Sequence, residues 1–145
     1  MIQVYSSGPA GTTLQPNESY LFTFSGRPPV NSDGFWSLTL YGANQYFVPN
    51  SLQRYEIGDR STQLRFENGG LVYGANASKT DGPFQVLIQP ADVAPPSNWT
   101  SNWLPATPGG GQISWIMRWY GTQNPAFTNG SYVYPTMQKI AAIRG

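Results

Sequence analysis

The chain contains neither cysteine nor histidine. That removes disulfide staples, thiolate zinc sites, thiol nucleophiles and the side chain most often used as a general base or metal ligand. Charge is scarce as well: 10% of the 145 residues are Asp, Glu, Lys or Arg, against roughly 25% in an average soluble chain. Eight basic and seven acidic side chains leave a net charge of +1. Arg27, Arg54, Arg60, Arg65, Arg118 and Arg144 are scattered rather than clustered, so the chain has no basic face to read phosphates and nucleic acid is not an expected partner. No apolar run approaches the roughly 18 residues that span a bilayer, and Met1-Ile2-Gln3-Val4-Tyr5 has neither the basic start nor the apolar stretch of a signal peptide. Gly109-Gly110-Gly111 lacks the lysine and following helix of a phosphate-cradling loop. Asp33, Asp59 and Asp81 are too dispersed for a dense calcium loop. No cofactor or metal is therefore expected.

Gly and Pro are abundant, 16 and 13 residues, and aromatic residues make up 14% of the chain. Many turns joining short aromatic strands account for both, and the length suits one domain. Alternation with a period of two marks strands at Tyr20 to Phe24, Phe35 to Tyr41, Phe84 to Gln89 and Ile113 to Tyr120. Shorter strands are expected near Ile2 to Tyr5, Arg54 to Ile57, Gln63 to Phe66 and Leu71 to Tyr73, and a final edge strand within Pro135 to Ile143. Turn-forming groups separate them: Gly26 to Pro29, Asp33-Gly34, Asn68-Gly69-Gly70 and Asp81-Gly82-Pro83. The expected fold is all-β: a single antiparallel β-sandwich over residues 1–145, jelly-roll-like, with Phe35, Leu38 and Ile116 meeting between the layers. The stretch from Pro90 to Gln112 shows no strand pattern, and a loop of that length is usually functional or an ordered excursion. Its Trp99 and Trp103 must be covered either by the core or by a partner.

Several blocks carry a family resemblance. Tyr20 to Phe24, then Gly26, Pro28-Pro29-Val30 and Phe35-Trp36-Ser37-Leu38-Thr39-Leu40-Tyr41, resemble the opening of the domain of unknown function 1214 family (DUF1214). Phe47-Val48-Pro49-Asn50, Arg54-Tyr55, Ile57-Gly58, Ser101-Asn102-Trp103-Leu104-Pro105 and Arg118 with Tyr120 follow in that family's order, and the match covers about residues 18–140. The chain departs from the family pattern at Gly42, where an acidic residue follows the strand tyrosine. The resemblance implies a jelly-roll β-sandwich that usually follows a domain of unknown function 1254 and often carries an export signal. It assigns no activity.

The densest chemistry lies in Arg54-Tyr55-Glu56-Ile57-Gly58-Asp59-Arg60, which holds four of the fifteen charges. Glu56 or Asp59 beside Arg54 and Tyr55 could serve as an acid or base. The plainer reading has Arg54 bonded to Glu56, Asp59 or a loop carbonyl, fixing a corner of the sandwich. Arg118 is either solvated or joins Arg54 in holding an anion. Trp99, Asn102 and Trp103 are candidate ligand contacts, because sugar rings stack on exposed indoles. A glycosidase pair would have to come from Asp33, Glu56 and Asp59, none of which lies in a diagnostic motif. Asn17, Asn76, Asn98 and Asn129 each begin an N-glycosylation tripeptide.

These features lead to a non-catalytic binding or structural module at the cell exterior or envelope, taking a carbohydrate or a small anionic ligand. Two alternatives stand beside it. One is an enzyme built around Arg54 to Asp59; the other is a self-assembling surface protein that covers an apolar face with copies of itself or with a partner domain of the 1254 type.

Overall fold

Strand β8 (Gly111–Tyr120) shows how the pattern becomes structure. Ile113, Trp115, Met117 and Trp119 are buried, and the residues between them face outward, as period-two side chains on a pleated strand must. The computed structural model describes residues 2–6, 12–30, 34–120 and 131–145, with only the backbone described for 2–6 and 12. The other strands are β1 (Ile2–Ser6), β2 (Thr12–Leu14), β3 (Glu18–Phe24), β4 (Phe35–Tyr41), β5 (Glu56–Gly58), β6 (Phe84–Pro90), β7 (Trp103–Ala106) and β9 (Thr136–Ala141). They form two sheets. One runs β1-β8-β4-β5, with β2 also on β8; the other runs β7-β6-β3-β9. The protein is an all-β sandwich, as the alternation predicted.

Two expectations need correction. Phe35 and Ile116 do not meet Leu38 between the layers: Phe35 stacks on Tyr120 at 4.2 Å, and Ile116 pairs with Thr39 on the same outward side. Strands at Gln63 to Phe66 and Leu71 to Tyr73 reduce to one bridge, Arg65 to Leu71. Asn68-Gly69-Gly70 reverses the chain too soon for a ladder, yet Leu64 and Val72 are still buried in the core. The C-terminal strand is present as expected. Residues 90–112 are not featureless: a 3-10 helix, Ser97–Asn102, leads into β7, which pairs parallel to β6. Strand β7 escapes a pattern search because it has four residues, includes Pro105 and is buried throughout. Proline is tolerated there because β7 is an edge strand.

Between the sheets the core is aromatic. Phe24 stacks on Phe84 at 4.6 Å, Trp36 packs on Phe24 at 5.0 Å, and Trp115 meets Phe22 edge-on at 5.2 Å. The Trp36 indole N–H donates to the Tyr73 hydroxyl at 2.8 Å, satisfying the polar end of a buried ring. Gln89, wholly buried on β6, accepts from the Ser19 hydroxyl at 2.7 Å and the Ile143 amide at 2.8 Å. Its amide nitrogen donates to the carbonyls of Val93 and Ile143. One side chain thus ties β3, the chain after β6 and the C-terminal segment together. Among the described residues no helix is long and apolar enough to cross a membrane.

Two outcomes follow from this core. Gln89→Leu strands the Ser19 hydroxyl and three backbone groups without partners and is expected to cost about 3 kcal/mol in urea denaturation, near the upper end for lost buried hydrogen bonds. Burial pushes the Tyr73 hydroxyl up from 10.0 to about 12, and burial also raises Tyr132. A raised acid favours the folded state only while protonated, so this stability is complete below pH 10 and is lost as the pH climbs from about 10 to 12. Tyr73→Phe should flatten that alkaline limb of the urea midpoint while lowering stability at pH 8, because Trp36 loses its acceptor.

Candidate functional site

The outward face of β4 carries Phe35, Ser37, Thr39 and Tyr41. Beside it lies the 42–55 connection, whose Phe47 ring stacks between Tyr41 at 5.6 Å and Tyr55 at 5.3 Å. Phe47 keeps half its surface exposed. Between this row of rings and β5 lies a hollow of about 720 Å³, lined by Phe35, Ser37, Phe47, Gln53, Arg54, Tyr55, Glu56, Asp59, Arg60 and Gln63 among others. That volume falls in the range of small-ligand sites.

Local chemistry shapes its walls. The Asn50 carboxamide receives the amides of Leu52 and Arg54 and donates to the carbonyls of Val48 and Arg54, so a single side chain closes the turn. Gln53, at the end of that turn, has φ +51°, a left-handed conformation uncommon for a residue with a side chain. Gly58 sits under the hollow where any Cβ would collide with the Trp36 carbonyl oxygen, so no larger residue fits there.

The charged residues are largely structural. Arg54 Nη1 donates to the carbonyls of Thr100 and Trp103, at 2.7 and 2.8 Å, and fastens the 3-10 helix to the wall of the hollow. Burial lowers its pKa from the usual guanidinium value. The Asp59 carboxylate accepts the Trp36 amide at 3.3 Å and so fixes the end of β4. Glu56 is exposed and reaches the Thr39 hydroxyl at 3.4 Å. Among the described residues no three acids gather in a group able to hold a metal ion.

Against the 3-10 helix lies a smaller cleft of about 180 Å³, lined by Arg65, Phe66, Glu67, Gln85, Asn98, Trp99 and Asn102. Trp99 and Asn102 both line it, but Asn102 is not free for a ligand. Its carboxamide oxygen accepts the Arg65 amide and its nitrogen donates to the carbonyls of Arg65 and Gln85, so it pairs with Arg65 as a strand residue would. Trp99 is half-buried. Trp103 does not suit the ligand role expected of it: only 7% is exposed and its indole N–H donates to the Gln89 carbonyl at 3.1 Å. Arg118 faces outward opposite Ser37 in the ladder and is not part of the hollow's lining. Asn17, Asn76 and Asn98 are exposed, whereas Asn129 and Asp33 lie outside the described residues. Sequence reasoning missed Phe47, Gln53 and Gln63 as site residues. The Asn50 and Gln53 turn has no strand periodicity to flag it, and only folding places it against β5.

Fold and site define an all-β sandwich whose concave feature lies on the outside of one sheet, away from the core. The chain belongs to the family described as Protein of unknown function (DUF1214), whose model matches residues 2–124. The crystal structure of the VPA0106 protein from Vibrio parahaemolyticus is similar, with a TM-score of 0.61 and 24% identity over 96% of this chain. This chain spans 30% of that protein's length, and the likeness shows the fold. No match was found among curated proteins.

Asn102→Ala leaves the Arg65 amide and two carbonyls without partners. It is expected to cost about 2 to 3 kcal/mol in denaturant unfolding, while Trp99→Ala, at a half-buried ring, costs about 1 kcal/mol or less. Equal costs would mean that Asn102 does not hold the cleft together.

Proposed function

We propose that this chain is a non-catalytic recognition module that takes a small polar ligand into the hollow on the outer face of β4 and β5. The observation that carries the reading is Phe47. A large apolar ring half open to solvent, stacked in register with two tyrosines beside a concavity of ligand size, is the arrangement that binds by covering an apolar face of a guest. The acids support recognition over chemistry. Asp59 is taken up by a backbone amide and Glu56 stands in solvent, so neither carboxylate sits in the enclosed setting that prepares an acid or base. An exterior location belongs to the same proposal, supported by the three exposed acceptor asparagines, Asn17, Asn76 and Asn98.

A panel of small polar compounds and glycans, read by thermal shift, tests it. Compounds that raise the melting temperature of the wild type should bind Phe47→Ala at least tenfold more weakly, about 1.4 kcal/mol, and should bind Trp99→Ala as they bind the wild type. Ligands indifferent to Phe47→Ala, or turnover of any panel member that Glu56→Gln abolishes, would defeat the reading.

A further inference from the structure

Resting on the hollow as the binding site, we infer that its ligand is a neutral pyranose sugar, held against the exposed side of the Phe47 ring and read by the Gln53 carboxamide. Charge is the first consideration. Two arginines and two acids line the hollow, so the formal charges cancel. Arg54 Nη1 is committed to two carbonyls and Asp59 to a backbone amide, which leaves exposed Arg60 and Glu56, of opposite sign. An anionic guest would lose hydration and meet no surplus cation. A neutral guest gives up a weaker hydration, which hydrogen bonds to its hydroxyl groups replace.

Shape and hydrogen bonding agree. A pyranose presents a flat patch of C–H groups on one face, which suits an exposed aromatic ring, and a rim of hydroxyls that each donate and accept. A carboxamide also does both, whereas a carboxylate only accepts and a guanidinium only donates. Gln53 is such a group, and its backbone is costly to hold. Five of the seven positive-φ positions among the described residues are glycine. Of the other two, Gln45 sits in the tight Gly42 to Tyr46 reversal, and Gln53 lines the hollow. Asn50 fixes the turn from both sides, so the Gln53 side chain leaves a rigid base. Among the described residues its carboxamide has no hydrogen-bond partner. An exposed side chain whose donor and acceptor are open at a ligand-sized hollow, on a backbone that glycine would hold more easily, fits a reading group.

Isothermal titration of the wild type, Gln53→Gly and Phe47→Ala with neutral oligosaccharides, oligogalacturonate and inorganic phosphate, with melting temperatures alongside, tests the inference. At least one neutral oligosaccharide should bind the wild type at least tenfold more tightly than oligogalacturonate or phosphate does. Gln53→Gly should weaken that binding about tenfold while its melting temperature stays equal or rises, because glycine relieves the left-handed backbone. Preference for oligogalacturonate or phosphate, no binding of any neutral sugar, or an unchanged affinity in Gln53→Gly would overturn it. The two proposals fail separately: if the preferred probe is acidic yet lost in Phe47→Ala, the hollow still binds and only the neutral sugar is wrong. If Phe47→Ala binds every probe as the wild type does, the hollow itself is not the site.

Discussion

Every buried backbone amide and carbonyl must find a partner, and in this protein three side-chain carboxamides supply it at places where the strand ladders stop. Asn50 closes the turn beside the hollow, Gln89 anchors the C-terminal segment to β6 and β3, and Asn102 pairs with Arg65 as if it were another strand. Each carries a donor and an acceptor on one planar group, which is the complement of a peptide unit. A chain with 10% charged residues has few ion pairs with which to pin its loops, and neutral amides do so without the desolvation cost of a buried charge. Arg54 and Arg27 follow the same logic, spending their guanidiniums on carbonyls of distant loops.

This economy shapes the candidate site. The residues that looked most chemical in the sequence became the frame: Arg54 holds the 3-10 helix, Asp59 holds the end of β4, and Asn102 and Trp103 hold the crossover into β7. What faces the open hollow is a row of rings and a set of neutral or mutually cancelling polar groups. In the proposed function the Arg-Tyr-Glu cluster is a wall, and Phe47 and Gln53 are the surfaces a guest would meet.

Legibility in the sequence tracked the range of the interaction. Strands β3, β4, β6 and β8 announce themselves because a period of two over five or more residues is a local property. The burial of Trp36 and Trp115 follows from the same alternation. Strand β7, by contrast, is short, proline-bearing and buried on all sides, and exists because β6 offers it a parallel partner. The outward stack of Phe35 on Tyr120 was equally hidden, since an aromatic ring on a strand reads as core until its neighbour is known.

By itself the sequence determined the class of fold, the absence of thiol and imidazole chemistry, the scatter of the few basic residues and the family the chain resembles, because all of these reside in composition, alternation and short motifs. Only the tertiary structure decided which polar residues are spent on the frame and which stay open. That choice depends on contacts between positions such as 54 and 103, or 65 and 102, which no periodicity encodes and which appear only once two sheets have closed over a shared aromatic layer.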